Sequence, residues 1–251
     1  MRVAVLADIH GNLPALEAVL AEPDVAGADR VVLLGDIALG PMPAESLDLL
    51  VSLGERAAWV HGNCEREIVA AFEGRDVPGP NGESARAASS LIERRHRDLL
   101  DGLPLTVTLD VDGLGPVLFC HATPRRDDEC VLVDSPLPVW SRALAGVAEH
   151  VVVMGHTHMP FDRLVDGRRA VNPGSVGMSY GVPGACWALL GPGISLRSTP
   201  YDVEVAAARI RSGGHPDATA WAEEYVLAQY GDAEALAAFT PLVDPPPDIA
   251  P

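Results

Sequence analysis

Lysine is missing from this chain; all 18 basic residues among its 251 are arginine. A Schiff-base mechanism and a P-loop, both of which need a lysine, are thereby excluded. Cysteine is scarce, and Cys64, Cys120, Cys130 and Cys186 show no C-x-x-C spacing. Neither a zinc knuckle nor a disulfide framework is indicated, and a reducing, cytoplasmic setting is expected. No apolar run approaches the ~20 residues that span a bilayer. Val3 to Ala7 already reads as a strand, which leaves no room for a secretory leader. Positive charge is also short. The formal net charge of −17 argues against nonspecific binding to nucleic acid or anionic membrane. It does not exclude an anionic substrate, because metal ions invert the local field.

What remains is an ordinary globular balance, 48% hydrophobic and 21% charged, with length enough for one large domain and a substantial core. Short apolar runs recur, each followed by a residue of the type that ligates metals. Arg2 to Ala7 leads into Asp8-Ile9-His10-Gly11-Asn12, and Val31 to Leu34 into Gly35-Asp36. Ala57 to Val60 leads into His61-Gly62-Asn63-Cys64, Pro116 to Cys120 into His121, and Val151 to Met154 into Gly155-His156-Thr157-His158. Helices are expected between the first strands, over Leu13 to Leu20 with Asn12 as N-cap, and near Pro43 to Leu53. Such β-loop-α alternation predicts parallel strands, and ligands of open sheets gather at the carboxyl ends of strands.

Residues 65–103 read as a helical, arginine-rich insert with a covering role or a role as a lid. Beyond it come a hairpin over Thr106 to Cys120, a helix from Leu137 to Ala148, and antiparallel strands up to Arg197. Two helices follow, Val203 to Arg211 and Thr219 to Tyr230, within a C-terminal helical stretch of 201–231. A single domain of 1–240 is expected, with a disordered proline-rich tail over 241–251. No internal repeat is evident.

Asp8, His10, Asp36, Asn63, His121, His156 and His158 are the candidate ligands. A mononuclear site needs three or four, so this set invites a two-metal reading. Imidazole, carboxylate and amide oxygen together suit Mn²⁺, Fe or Zn²⁺, with Ni²⁺ also compatible, better than Mg²⁺ or Ca²⁺. Asp36, alone at its strand end, is the natural bridge.

In order and approximate spacing, these motifs resemble the calcineurin-like metallophosphoesterase superfamily. Asp8-Ile9-His10-Gly11-Asn12 and Asn172-Pro173-Gly174-Ser175-Val176 are similar to its small bacterial and archaeal phosphodiesterase branch. The resemblance implies an α/β fold, a four-layer α/β/β/α sandwich. It also implies Asp8, His10 and His158 on one ion, Asn63, His121 and His156 on the other, and Asp36 on both. The implied activity is hydrolysis of small nucleotide-like phosphodiesters by in-line attack of a metal-bridging hydroxide, which needs no serine nucleophile. Alternatives on the same site are a dinucleoside polyphosphate hydrolase and a protein phosphatase. A non-catalytic scaffold, as in the retromer subunit of this fold, is disfavoured because all seven ligand positions are filled.

One departure stands out. Many relatives carry histidine after the asparagine, as acid for the leaving group; here Cys64 takes that place, and a thiol of pKa ~8.5 serves it poorly. Arg125, Arg66 and Asn12 are the candidates for substrate contact. His96, His150 and His215 lie in charged or turn contexts and are expected at the surface. Substrate identity and oligomeric state are not encoded in any motif.

Overall fold

The computed structural model describes residues 1–244. Near-continuous apolar strands predict burial on both faces, and the core explains how. Val3 and Val5 of β1 (Val3–Leu6) point one way, while Ala4 and Leu6 point the other. Val117 and Phe119 of β5 (Gly115–Cys120) likewise face away from Leu118 and Cys120. Two sheets therefore share one apolar layer, and each presents a second apolar face to helices.

The first sheet is β10-β9-β1-β2-β3, using β2 (Arg30–Leu33), β3 (Ala57–Trp59), β9 (Ala185–Leu190) and β10 (Ile194–Thr199). β1, β2 and β3 run parallel; β9 and β10 are antiparallel additions. The second sheet is β4-β5-β6-β8-β7, with β4 (Thr106–Val111), β6 (Val151–Val153), β7 (Phe161–Val165) and β8 (Arg168–Asn172). Its three central strands are parallel.

Helices α1 (Leu13–Leu20), α2 (Pro23–Ala26) and α3 (Pro43–Val51) cover the first sheet, joined by α4 (Asn63–Phe72), α5 (Gly82–Ser90) and α6 (Arg94–Asp101). Helix α7 (Leu137–Ala143) covers the second sheet through the fully buried Trp140. This is the four-layer α/β/β/α arrangement. Helix α8 (Val203–Arg211) and α9 (Ala218–Ala222) form a satellite core touching Met42 and Tyr201. Helix α10 (Asp232–Phe239) completes the order.

Within the insert, α5 and α6 are separate helices, with Glu93 as N-cap of α6 and its N–H donating to His96 Nδ1 (3.1 Å). Several local expectations are corrected. Helix α7 stops at Ala143, short of Gly146 with its φ of +79°. After Ala222 the chain widens into a π turn, Glu223–Leu227, rather than continuing to Tyr230. The start of the expected disordered tail is ordered: Thr240–Leu242 is a 3₁₀ turn and Val243 bridges Cys130. Residues 245–251 lie outside the described part. His96 and His215 are buried, at 2% and 6% exposure, whereas His150 is exposed.

Phe119 fills the layer between the sheets with no exposed surface. Phe119→Ala is expected to lower unfolding free energy in urea by about 3–5 kcal/mol. A loss under about 1 kcal/mol, typical of surface positions, would contradict this packing.

Candidate metal centre

The loops after β1 and β2 extend the parallel ladder beyond the strands. Asp8 N–H donates to Gly35 O (3.1 Å), His10 N–H to Asp36 O (2.9 Å) and Gly11 N–H to Ile37 O (2.8 Å). The loop after β6 is tied in similarly, with Gly155 N–H on His121 O (2.6 Å) and His156 N–H on the Asp8 carboxylate (3.1 Å to Oδ2). Asn172 locks it from beside, donating to Gly155 O (2.7 Å) and to Thr157 Oγ1 (3.1 Å) and accepting from Gly174 N–H (2.8 Å). Separate stretches of chain are thus welded backbone to backbone.

Two clusters result, Asp8 with His10 and His158, and Asp36 with His121 and His156, each with ligand atoms mutually within 4.8 Å. Asp36 Oδ2 lies between them, 3.4 Å from His121 Nε2 and 3.9 Å from His10 Nε2. His10 and His158 face each other Nε2 to Nε2 at 3.2 Å. Both use Nδ1 elsewhere, towards Leu39 O (3.0 Å) and Met178 O (3.1 Å). With Nδ1–H donating, each Nε2 carries a lone pair, and two lone pairs this close repel unless something positive sits between them. Nitrogens sharing one ion at about 2.1 Å span much this separation. The pattern repeats at His121, whose Nδ1 meets Leu34 O (2.6 Å) while Nε2 faces His156 Nδ1 at 3.2 Å. Asn63 adds a buried Oδ1 with no hydrogen-bond donor, beside its Nδ2 contact to Glu67 (3.4 Å). Lone pairs turned on one another, two buried carboxylates and an orphaned amide oxygen fit divalent cations.

The electrostatics agree. Against the penalty of burial, the neighbouring Asp36 carboxylate raises His121 to about 10. Burial and then the His121 charge push His156 down to about 4.

Cys64 is buried beside Asp36, whose Oδ1 accepts its backbone N–H (3.0 Å). Burial and the carboxylates of Asp36 and Glu65 drive its thiol well above the ordinary range, which makes it a still weaker acid. Glu65 was not singled out from sequence. Fully buried, it accepts N–H bonds from Asp36 (2.8 Å), Ile37 (2.8 Å) and Gly62 (2.7 Å), so one carboxylate pins two ligand loops together. Burial and the nearby Asp36 charge lift its carboxyl to about 7, although the N–H donors pull the other way. The legible signal was glutamate three residues after Gly62 at a helix start, the spacing of a capping box.

The residues expected to contact substrate are held as follows. Arg66 is clamped on Asp127 by two bonds (2.9 and 3.1 Å), and Arg125 pairs with Glu129. Neither lines the cavity of about 300 Å³ over the clusters. Asn12 caps α1 at Ala15 N–H (3.2 Å), donates to Gly177 O (3.0 Å), and lies outside the cavity lining as well.

The family model of the calcineurin-like phosphoesterase superfamily domain matches residues 1–190. An uncharacterised protein of Methanocaldococcus jannaschii is 28% identical over 198 residues, 70% of this chain and 76% of its own. The symmetrical bis(5′-nucleosyl)-tetraphosphatase of Klebsiella pneumoniae is 30% identical over 161 residues, covering 58% of this chain and only 56% of that enzyme. Among solved structures, a metallophosphoesterase from Sphaerobacter thermophilus superposes with a TM-score of 0.71 at 25% identity, over 90% of this chain and all of its own (100%). A hypothetical protein of Pyrococcus horikoshii shares the fold, with a TM-score of 0.71 at 22% identity over 84% and 92% of the two chains.

Glycine at position 62 is a steric requirement, since an added Cβ would lie 2.2 Å from Asp36 Oδ1 and 2.8 Å from Asp36 N. Gly62→Ala is expected to lower stability by about 1–3 kcal/mol in urea unfolding, as overpacking does. Gly193→Ala, where nothing lies within 4 Å, is the control and should stay within about 0.5 kcal/mol.

Proposed function

The chain belongs to the calcineurin-like phosphoesterase superfamily, and we propose that it hydrolyses small phosphodiesters with one divalent cation in each of the two clusters. It is a phosphoric ester hydrolase by membership. The observation that carries it is the facing imidazole pairs on either side of Asp36 Oδ2, with the orphaned Asn63 Oδ1 beside them. Asp8, His10 and His158 would hold one ion, Asn63, His121 and His156 the other, and Asp36 both. Bound there, divalent ions supply Lewis acidity that activates water and offsets charge on the phosphoryl oxygens.

The residues contribute the rest. Backbone carbonyls of Leu39, Leu34 and Met178 fix the ring orientations of His10, His121 and His158, so the ligands need no reorganisation on loading. Glu65 and Asn172 hold the loops that carry Asp36 and His156. Pro80, Asn81 and Ser84, from the turn before α5 and its first residues, wall the cavity, which suits an insert that shapes access for small molecules. With Cys64 so poor an acid, diesters with good leaving groups are the favoured substrates. Mn²⁺ is our choice of ion, since this mixed donor set suits it. Four free cysteines, all buried, fit the cytoplasm, and no helix among the described residues is long and apolar enough to cross a membrane. The satellite core of α8 and α9 seats on Met42 and Tyr201, in keeping with one folding unit over 1–240. Similarity to the tetraphosphatases favours a second reading, hydrolysis of dinucleoside polyphosphates.

Elemental analysis after manganese loading should give about two ions per chain. Asp36→Asn should reduce both, with loss of bis(p-nitrophenyl) phosphate hydrolysis. Protein that takes up no divalent metal, or an Asp36→Asn variant that keeps both ions, would overturn the reading. A proton must leave His121 for an ion to enter. Because its folded value of about 10 exceeds the ordinary 6.5, the ring is charged throughout neutral pH, and metal affinity should rise with pH. Calorimetry in buffers of differing ionisation enthalpy measures that release.

A further inference from the structure

The cavity above the clusters has two unlike halves. Its floor carries the candidate ligands. Its lining also includes Tyr180 and His215, Trp221, Tyr225, Phe239 and Leu242, the last five of which all follow the family-matched stretch of 1–190. Tyr180 stacks on His158 with centroids 5.5 Å apart and planes 14° apart, and it meets Phe239 at 6.1 Å. Trp221 and Tyr225 pack together at 5.4 Å. Ring contacts thus run from a ligand histidine through Tyr180 to Phe239 of α10, and Trp221 and Tyr225 line the same cavity.

Charge is as informative. Among the described residues lining this cavity there is no arginine, and Asp36 is the one carboxylate. His215 adds no cation, since its Nδ1 accepts the Asp217 N–H (3.1 Å) and burial favours the neutral ring. Behind Tyr180, Tyr225 and Phe239 lies a second cavity of about 350 Å³ that carries Glu224 and Glu234. Beyond the candidate ligands, a run of phosphates would meet no cationic side chain in this lining, and the neighbouring cavity offers Glu224 and Glu234. A diester with one negative charge needs no further cation, and a flat ring gains stacking from the wall.

Resting on the phosphodiesterase reading above, we propose that residues 201–242, together with Tyr180, form the recognition wall. The substrate it selects is a diester with a single phosphate and a flat aromatic group, nucleobase or aryl, held by Trp221, Tyr225, Tyr180 and Phe239. This favours simple diesters over dinucleoside polyphosphates despite the similarity to tetraphosphatases.

The test uses manganese-loaded full-length protein and two esters with the same leaving group and charge, thymidine 5′-(p-nitrophenyl phosphate) and methyl p-nitrophenyl phosphate. The thymidine ester should show kcat/KM about tenfold higher, the scale of one base stacked on aromatic side chains. Trp221 and Tyr225 are half-buried, so Trp221→Leu and Tyr225→Leu should fold. Each should lose most of that preference through a raised KM for the thymidine ester, with a smaller change for the methyl ester. Diadenosine tetraphosphate should be cleaved more slowly than the thymidine ester. Quenching of tryptophan fluorescence by thymidine 5′-monophosphate gives a readout independent of turnover, and should weaken in Trp221→Leu. Equal treatment of the two esters, equal losses on both in the variants, faster cleavage of the tetraphosphate, or no quenching in the wild type would each overturn the wall. Failure to cleave any phosphodiester while both ions are bound would instead sink the phosphodiesterase reading, and the quenching would still judge the wall.

Discussion

The centre depends on a backbone conformation that its own side chains disfavour. Asp8, His10, Asp36, His156 and His158 all have positive φ, between 49° and 67°, and among the described residues only Asp166 joins them outside glycine. Left-handed geometry costs a non-glycine residue on the order of 1–3 kcal/mol. Several such positions together approach the whole stability of a typical domain. They persist because the surrounding backbone bonds hold the loops in this arrangement. The bonds from Asp8, His10 and Gly11 to residues 35–37 continue the ladder of β1 and β2, and Ser175 Oγ (2.6 Å) and Gly177 N–H (3.0 Å) both donate to Asp8 O. The apolar layer between the sheets holds the strands that feed these loops. Fold energy is converted here into convergence of side chains.

That convergence is electrostatically unfavourable without a cation. Buried Asp8 and Asp36 are neighboured by imidazoles whose outward nitrogens already donate to carbonyls. The Asp36 carboxylate correspondingly raises the His121 imidazole above its ordinary value. The same arrangement removes arginines from the neighbourhood, since Arg66 and Arg125 are held by Asp127 and Glu129 in the loop after His121. The centre is thus kept for small, dense positive charge.

Legibility from sequence follows the range of the interactions. Strand and ligand could be read together because the strands are short, apolar and buried on both faces, and because each ligand lies within a few residues of a strand end. Cap chemistry was readable too: Asn12 caps α1 through Ala15, three residues away. The meeting of Asp8 with His158, 150 positions along, was implied only by resemblance. Burial of His96 is not legible from sequence because Asp48, which it contacts at 2.9 Å, lies 48 residues away. Arg66 looked available for substrate because its partner Asp127 lies 61 residues downstream. Helix α10 was missed since it is short and mostly exposed, with Ala235 its one buried residue.

Apart from Tyr180, the aromatic wall comes from chain after residue 190, whereas the ligand clusters come from before it. Hydrolytic machinery and selectivity are therefore separable traits in heredity. Substitutions around Trp221 or Phe239 can sample new substrates without disturbing the costly geometry at Asp8 or Asp36. A lineage built on this plan can diversify what it cleaves while keeping how it cleaves.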